Sequence, residues 1–330
     1  MNMKTLPKAE LHLHLEGAAP PSFIRGLAAE KSVDLSRIFD ESGGYLFRDF
    51  PHFLTVYEAA CTVLTSPEDF YRLTKAALAE SAAHGVIYSE TFLSPDFCGG
   101  GDLGAWREYL SAIEEAAREA EAQDGIVLRA IVTCIRHFGP DKSKQAALCA
   151  AETVGGFLTG FGMAGDELMG NPSDFTYAFD LAREAGLRLT CHAGEWGGSK
   201  SVADALRDLR VERIGHGVQA AEDLELVAEL AESGIVLEVC PGSNVTLGVF
   251  PDWASHPIAR LIEAGVKVTV STDDPPFFHT DMTTEYNNLA ETFGWDETML
   301  LGLTQNAVDA AFCDDETRQK LNKQLENAHA

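Results

Sequence analysis

The sequence predicts an α/β fold, a (β/α)8 TIM barrel with a helical insertion after the first strand and a helical extension at the C-terminus. Three observations lead there. Short apolar runs alternate with longer amphipathic segments, the pattern of βα units on a parallel sheet. The runs number eight, which is the count that closes a barrel. Residues of metal-ligand type stand at the C-terminal ends of several of these runs, the end on which barrel enzymes build their sites.

The eight candidate strands are 9–15, 85–93, 126–133, 155–161, 187–193, 212–216, 235–239 and 266–271. The first contains Glu10-Leu11-His12-Leu13-His14-Leu15-Glu16-Gly17. Alternate side chains on a strand share a face, so His12 and His14 point one way and Leu11, Leu13 and Leu15 the other. Two buried imidazoles side by side need a common partner, and a metal supplies one; an exposed metal-free pair is the bland alternative.

From about Pro20 to Ser81 the alternation is interrupted by the insertion. Ser66-Pro67-Glu68-Asp69 gives a cap, an N1 proline and early acids to a helix carrying Phe70, Leu73, Ala77 and Leu78. Phe50, Phe53, Leu54 and Tyr57, around Pro51, have near-helical spacing. They fit either a lid over an aromatic substrate or the buried face of a packed helix, the commoner fate of such stripes.

After the second strand, Gly99-Gly100-Gly101-Asp102-Leu103-Gly104 formally matches G-x-G-x-x-G. Ser94-Pro95-Asp96-Phe97-Cys98 separates it from the strand, so it reads as a loop before the Trp106 helix rather than a dinucleotide turn. Arg136-His137 follows the third strand, in a position to shape a pocket or to make a structural hydrogen bond. Asn171-Pro172 opens a further helix after the fourth. His192-Ala193-Gly194-Glu195, Gly215-His216-Gly217 and Thr272-Asp273-Asp274-Pro275 end strands five, six and eight. The tail after about Asp281 forms the extension.

No low-complexity linker divides the 330 residues, so 1–330 reads as one barrel domain. The N-terminus lacks an apolar signal region and no run reaches the roughly 20 residues of a membrane span, which leads to a cytoplasmic expectation. Seven scattered cysteines without a Cys-x-x-Cys pair argue against a disulfide framework or a cysteine-rich zinc site. A formal charge of −26 disfavours nucleic acid, anionic membranes and multiply phosphorylated substrates, and suits a neutral small molecule.

A catalytic zinc takes a few nitrogen or oxygen ligands and keeps one position open for water. His12, His14, His192 and Asp273 form such a set from strands one, five and eight. Water bound there falls from a pKa near 15.7 to about 7. Beside the metal, Glu195 is the natural acid for a ring nitrogen, and His216 is placed to orient or deprotonate water. Asp273 can take a proton or hydrogen bond from that water, and Asp274 offers an acceptor to the substrate. His52, His84, His256, His279 and His329 receive no role. A G-x-S-x-G elbow, an H-E-x-x-H helix and the H-x-E with P-C-x-x-C deaminase signature are all missing; Cys240-Pro241-Gly242-Ser243-Asn244 has no second cysteine.

Leu6-Pro7-Lys8-Ala9-Glu10-Leu11-His12-Leu13-His14-Leu15-Glu16-Gly17, His192-Ala193-Gly194-Glu195, Gly215-His216-Gly217 and Ser271-Thr272-Asp273-Asp274-Pro275 occur in the order of one family's motifs. On them the chain resembles the adenosine and adenine deaminases of the metal-dependent amidohydrolase superfamily, over nearly the whole barrel. The resemblance implies a single Zn2+ on His12, His14, His192 and Asp273. It also implies that Glu195 protonates N1, His216 assists attack at C6 and Asp274 contacts N7. Phe161-Gly162-Met163 at strand four offers no metal-bridging lysine, which favours one metal over two.

For the substrate, Gly165-Asp166-Glu167 and Gly215 look like the adenosine branch, in which that glycine meets purine N3. The adenine branch commonly has Asp in place of Gly215. Glu16 departs from the adenosine branch, which has Asp at the ribose 5′-hydroxyl contact; the extra methylene moves the carboxylate by about 1.5 Å. His14, Glu16, Gly165 and Asp274 are thus the expected substrate contacts. The expected reaction is hydrolysis of adenosine, and of 2′-deoxyadenosine, to the 6-oxo nucleoside and ammonia, a step of purine salvage. The alternatives are deamination of adenine or of a modified 6-aminopurine and, more remotely, a non-catalytic barrel that binds a nucleoside.

Overall fold

Lys8–His14 (β1), Val86–Leu93 (β2), Val127–Ile135 (β3), Leu158–Ala164 (β4), Arg188–Ala193 (β5), Arg213–His216 (β6), Val236–Val239 (β7) and Lys267–Val270 (β8) lie side by side in sequence order in a computed structural model. Every neighbouring pair is parallel. An isolated bridge between Leu13 and Asp273 brings the first strand to the last. Helices surround this ring, so the fold is the expected (β/α)8 barrel. Residues 2–328 are described, which leaves His329 outside.

The strands are buried on both faces, as parallel strands beneath helices must be. Boundaries follow the sequence pattern closely except at β4, which starts at Leu158 because Gly155 and Gly156 belong to the preceding turn. Asn171-Pro172 opens a short 3-10 turn, Pro172–Phe175, before the helix Thr176–Glu184. The insertion holds three helices, Pro21–Lys31, Phe50–Cys61 and Pro67–Ala83. The last begins where expected, with Ser66 accepting from the Asp69 amide.

Met282–Phe293, Glu297–Ala310 and Asp315–Ala328 form the C-terminal extension. Its middle helix packs against β1 and β8, where Asn306 Nδ2 donates to the Val268 carbonyl at 3.0 Å and Thr304 Oγ1 to that of Pro7 at 3.1 Å. This helix therefore covers the seam of the barrel. Among the described residues, no helix is long and apolar enough to cross a membrane.

Candidate active site and metal centre

His12 and His14 leave β1 on the same face. The carboxyl ends of β5 and β8 add His192 and the neighbouring Asp273, and one ligand-type atom from each of these four residues lies within 4.8 Å of the others. His14 Nε2 is 3.2 Å from His192 Nε2 and 3.3 Å from Asp273 Oδ1; His12 Nε2 is 3.6 Å from that same oxygen. The Phe92 ring packs edge-on to His12 and tilted to His14, with centroids 4.7 and 4.9 Å away, and fixes their orientations.

His12 Nε2 is buried and has no hydrogen-bond partner. Leaving an imidazole nitrogen in that state costs free energy, so the donor set fits a transition-metal ion. Burial disfavours the charged imidazole of His12, but Asp273 and Glu238 outweigh it and pull the pKa up to about 9. The same burial lowers the pKa of His14, and that of His192 falls well below its ordinary value.

Glu195 and His216 face this cluster. His216 Nε2 lies 3.8 Å from Glu195 Oε2 and 3.9 Å from Asp273 Oδ2. Burial, with the charges of Asp273 and Glu167 nearby, raises the Glu195 pKa well above its ordinary value and so favours the protonated form. Burial pushes the His216 pKa down to about 3 and leaves a neutral ring. Asn244 Nδ2 donates to His216 Nδ1 at 3.3 Å, which assigns the ring proton to Nε2, the nitrogen facing the carboxylates. His216 and Asp273 both adopt left-handed backbone, at φ 60° and 69°, a conformation that clusters at functional sites.

Asp274 is buried beside Asp273, and the desolvated pair raises its pKa well above the ordinary value. Its Oδ1 has no partner. A Cβ on Gly17 would sit 1.5 Å from that oxygen, so only glycine fits there. Glu16 is buried too; burial raises its pKa to about 7, its Oε2 accepts from the Tyr57 hydroxyl at 3.3 Å, and Oε1 has no partner.

A cleft enclosing about 590 Å³ opens over these groups. His14, His192, Glu195, His216, Asp273 and Asp274 form its polar floor, and Gly165 and His137 belong to its wall. Phe50, Phe53, Leu54 and Tyr57 cover it from the insertion, while Phe53 also packs on Phe277 and Phe278. The stripe thus lines the cleft while Phe53 belongs to the packed face of the helix. Among the described residues, no lysine or arginine lines the cleft. Arg136 takes the structural course instead, buried and donating to the carbonyls of Glu167 and His192.

Several supporting residues escaped the sequence reading. Glu238 accepts from His12 Nδ1 at 2.8 Å, and Ser243 Oγ donates to Asp273 Oδ2 at 2.7 Å. His256, given no role from sequence, pairs its Nε2 with Asn244 Oδ1 at 3.1 Å. The segment Cys240 to Asn244 was weighed only for a missing cysteine, whereas its serine and asparagine meet the site. An apolar strand followed by Ser-Asn at a barrel mouth was the available signal.

A sequential eight-stranded parallel barrel with three histidines and an aspartate gathered at its carboxyl mouth, faced by the Glu195 carboxyl and a neutral imidazole, is the arrangement of a metal-dependent hydrolase barrel. Residues 7–328 match the adenosine deaminase family model, and the chain belongs to that family. It is 50% identical over 320 residues to an adenine deaminase of Rhizobium leguminosarum bv. trifolii, covering 97% of this chain and 99% of the relative. Among solved structures, adenine deaminase from Arthrobacter aurescens superposes with a TM-score of 0.90 at 29% identity, covering 98% of this chain and 99% of that one. An amidohydrolase from Burkholderia ambifaria, crystallised with bound Zn, gives 0.87 at 28% identity over 98% of this chain and 92% of the other.

The relatives correct the adenosine expectation, since they are adenine deaminases. The glycines that favoured adenosine answer to packing. A Cβ on Gly215 would lie 2.8 Å from His12 Cε1 and 3.2 Å from His192 Nδ1; one on Gly165, at φ +96°, would lie 2.7 Å from His137 Nδ1. Both glycines thus have a packing reason that does not depend on the substrate. Glu16, the departure from the adenosine pattern, lies behind the cleft wall, bonded to Tyr57, which lines the cleft.

Proposed function

We propose that the chain hydrolyses adenine to hypoxanthine and ammonia, forming a C6–O bond from water and breaking the C6–N6 bond, with one Zn2+ as cofactor. His12, His14, His192 and Asp273 would hold the metal. When bound, it supplies the Lewis acidity that makes water a nucleophile near pH 7. Most of the weight rests on one observation: the unpartnered Nε2 of buried His12 faces the same point as His14, His192 and Asp273, beside the buried carboxyl of Glu195.

Glu195 delivers its proton to the ring nitrogen next to C6, which localises the developing charge away from the attacked carbon. His216, neutral with its proton on Nε2, orients the attacking water together with Asp273. Asp274, buried beside Asp273 with its Oδ1 unpartnered, contacts N7. The apolar cover from Phe50 to Tyr57 excludes bulk water from these charges.

Two features favour the free base. Glu16 Oε1 lacks a donor, and adenine carries a ring N–H that glycosylation removes in a nucleoside. A 5′-phosphate would meet a cleft in which, among the described residues, no lysine or arginine stands to pair it, and Glu58 lines the wall. A purified sample tests the reaction: zinc-loaded protein should release ammonia and hypoxanthine from adenine, and chelation should stop it until zinc is restored. Undiminished turnover after complete metal removal would contradict the proposal.

A further inference from the structure

We infer that Glu167 is a positioning residue for the reaction, clamping the turn that carries Glu195 through its backbone. This deepens the deaminase proposal and rests on it. Glu167 stands on the loop after β4, buried to 5% exposure, and its side chain turns toward the end of β5. Its Oε1 accepts from the Gly194 amide at 2.5 Å, and its Oε2 accepts from Glu195 at 2.9 Å and from Trp196 at 2.6 Å. Three consecutive backbone N–H groups thus converge on one carboxylate.

That arrangement is a nest built for an anion, made possible by the left-handed Gly194 at φ +73°. A Cβ on Gly194 would lie 2.4 Å from Val202 Cγ2, so the turn is closed from the other side as well. Gln219 extends the lock, its amide donating to the Gly194 carbonyl at 2.8 Å and its Oε1 accepting from Gly198 at 2.6 Å. Arg136 ties both partners together: Nη1 donates to the Glu167 carbonyl at 2.9 Å and Nη2 to the His192 carbonyl at 3.1 Å. One guanidinium therefore spans the base of the clamp and the end of the strand that presents His192.

The clamp holds the Glu195 main chain while leaving its carboxyl free to face the cleft. Charge-assisted hydrogen bonds out of water are the strong ones, and three of them remove the freedom the four-residue loop Gly194 to Gly197 would otherwise keep. A proton donor that must be placed within a few tenths of an ångström gains most from such fixed support. Glutamine cannot replace this carboxylate, because its amide group offers a donor where a third donor already points.

The experiment compares wild type, Glu167→Gln and Glu167→Asp, all zinc-loaded. Steady-state kinetics on adenine are measured together with zinc affinity by competition with a chromophoric chelator and amide hydrogen exchange over Gly194 to Trp196. For Glu167→Gln, kcat should fall roughly 10–100-fold with KM and zinc affinity within about threefold of wild type, and exchange should rise at least about tenfold. Glu167→Asp, which keeps the charge but shortens the reach, should lie between and serves where the glutamine variant does not fold. An unchanged kcat, or KM and zinc affinity worsening in step with kcat, overturns the inference. If wild type itself leaves adenine untouched, the deaminase proposal fails; the clamp is then read from exchange alone, and unchanged protection at Gly194 to Trp196 overturns it.

Discussion

His12 Nδ1 and Glu238 Oε2 are 2.8 Å apart with both side chains fully buried. The carboxylate accepts a hydrogen bond from Nδ1–H and so turns Nε2 toward the cluster. Glu238 is itself held by Thr190 Oγ1 at 2.8 Å and Arg213 Nε at 2.7 Å, and Arg213 Nη2 reaches Glu90 at 2.5 Å. The barrel interior below the site is thus a buried polar network that ends on His12.

Glu238→Gln should lower zinc affinity by roughly 10–100-fold, since outer partners of this kind set the ligand's tautomer and basicity. Competition against a chromophoric chelator measures it. Wild-type affinity would show that Glu238 serves only the Arg213 ion pair.

Gly215→Ala should damage the metal site rather than the choice of substrate. Its Cβ would press on His12 and His192, and overpacking of that kind costs about 1–3 kcal/mol, or roughly 10- to 100-fold in zinc affinity. At saturating zinc the ratio of adenine to adenosine turnover should stay as in wild type. A shift of that ratio toward adenosine or away from it would return this glycine to the substrate pocket.

Glu195→Gln should reduce kcat by roughly 10²–10⁴-fold while zinc content and thermal midpoint remain near wild type. Turnover within a few-fold of wild type would remove Glu195 from the proton-transfer role.

Stability should fall as pH rises toward 8, and Glu285 is one identifiable cause. Burial raises its pKa from 4.5 to about 8. Its folded value lies above its unfolded one, so its contribution is fully present below about pH 4.5 and is lost as pH climbs through 8. At pH 8 the loss is on the order of a few kcal/mol. Glu285→Gln can still accept from the Gly242 amide, 3.0 Å away, and Thr280 can reorient its hydroxyl. The variant should therefore lose less of its thermal midpoint between pH 5.5 and 8 than wild type. Equal losses would place the pH sensitivity elsewhere.

The barrel was legible because its strands are fully buried and bounded by turns, so apolar runs and helix caps coincide with element ends. His12 and His14, like His192, Glu195, His216 and Asp273, stood out because each ends a strand in a short polar motif. Glu238 and Arg213 did not, since charged residues inside strands β6 and β7 declare themselves only once the ring closes. Gly215 misled for a related reason: a glycine required by His12 across the sheet looks the same in sequence as one required by a ligand. Glu167 sat in a recognised motif, but its three amide partners lie about thirty residues downstream and are brought to it only by the adjacency of β4 and β5.

The most direct measurement is kcat/KM of the zinc-loaded protein for adenine, adenosine and AMP under one set of conditions, followed by loss of the 6-amino chromophore. Adenine should exceed both others by at least about a thousandfold, a selectivity that unpaired buried polar groups can supply. Equal or better turnover of adenosine or AMP would contradict a cleft built for the free base.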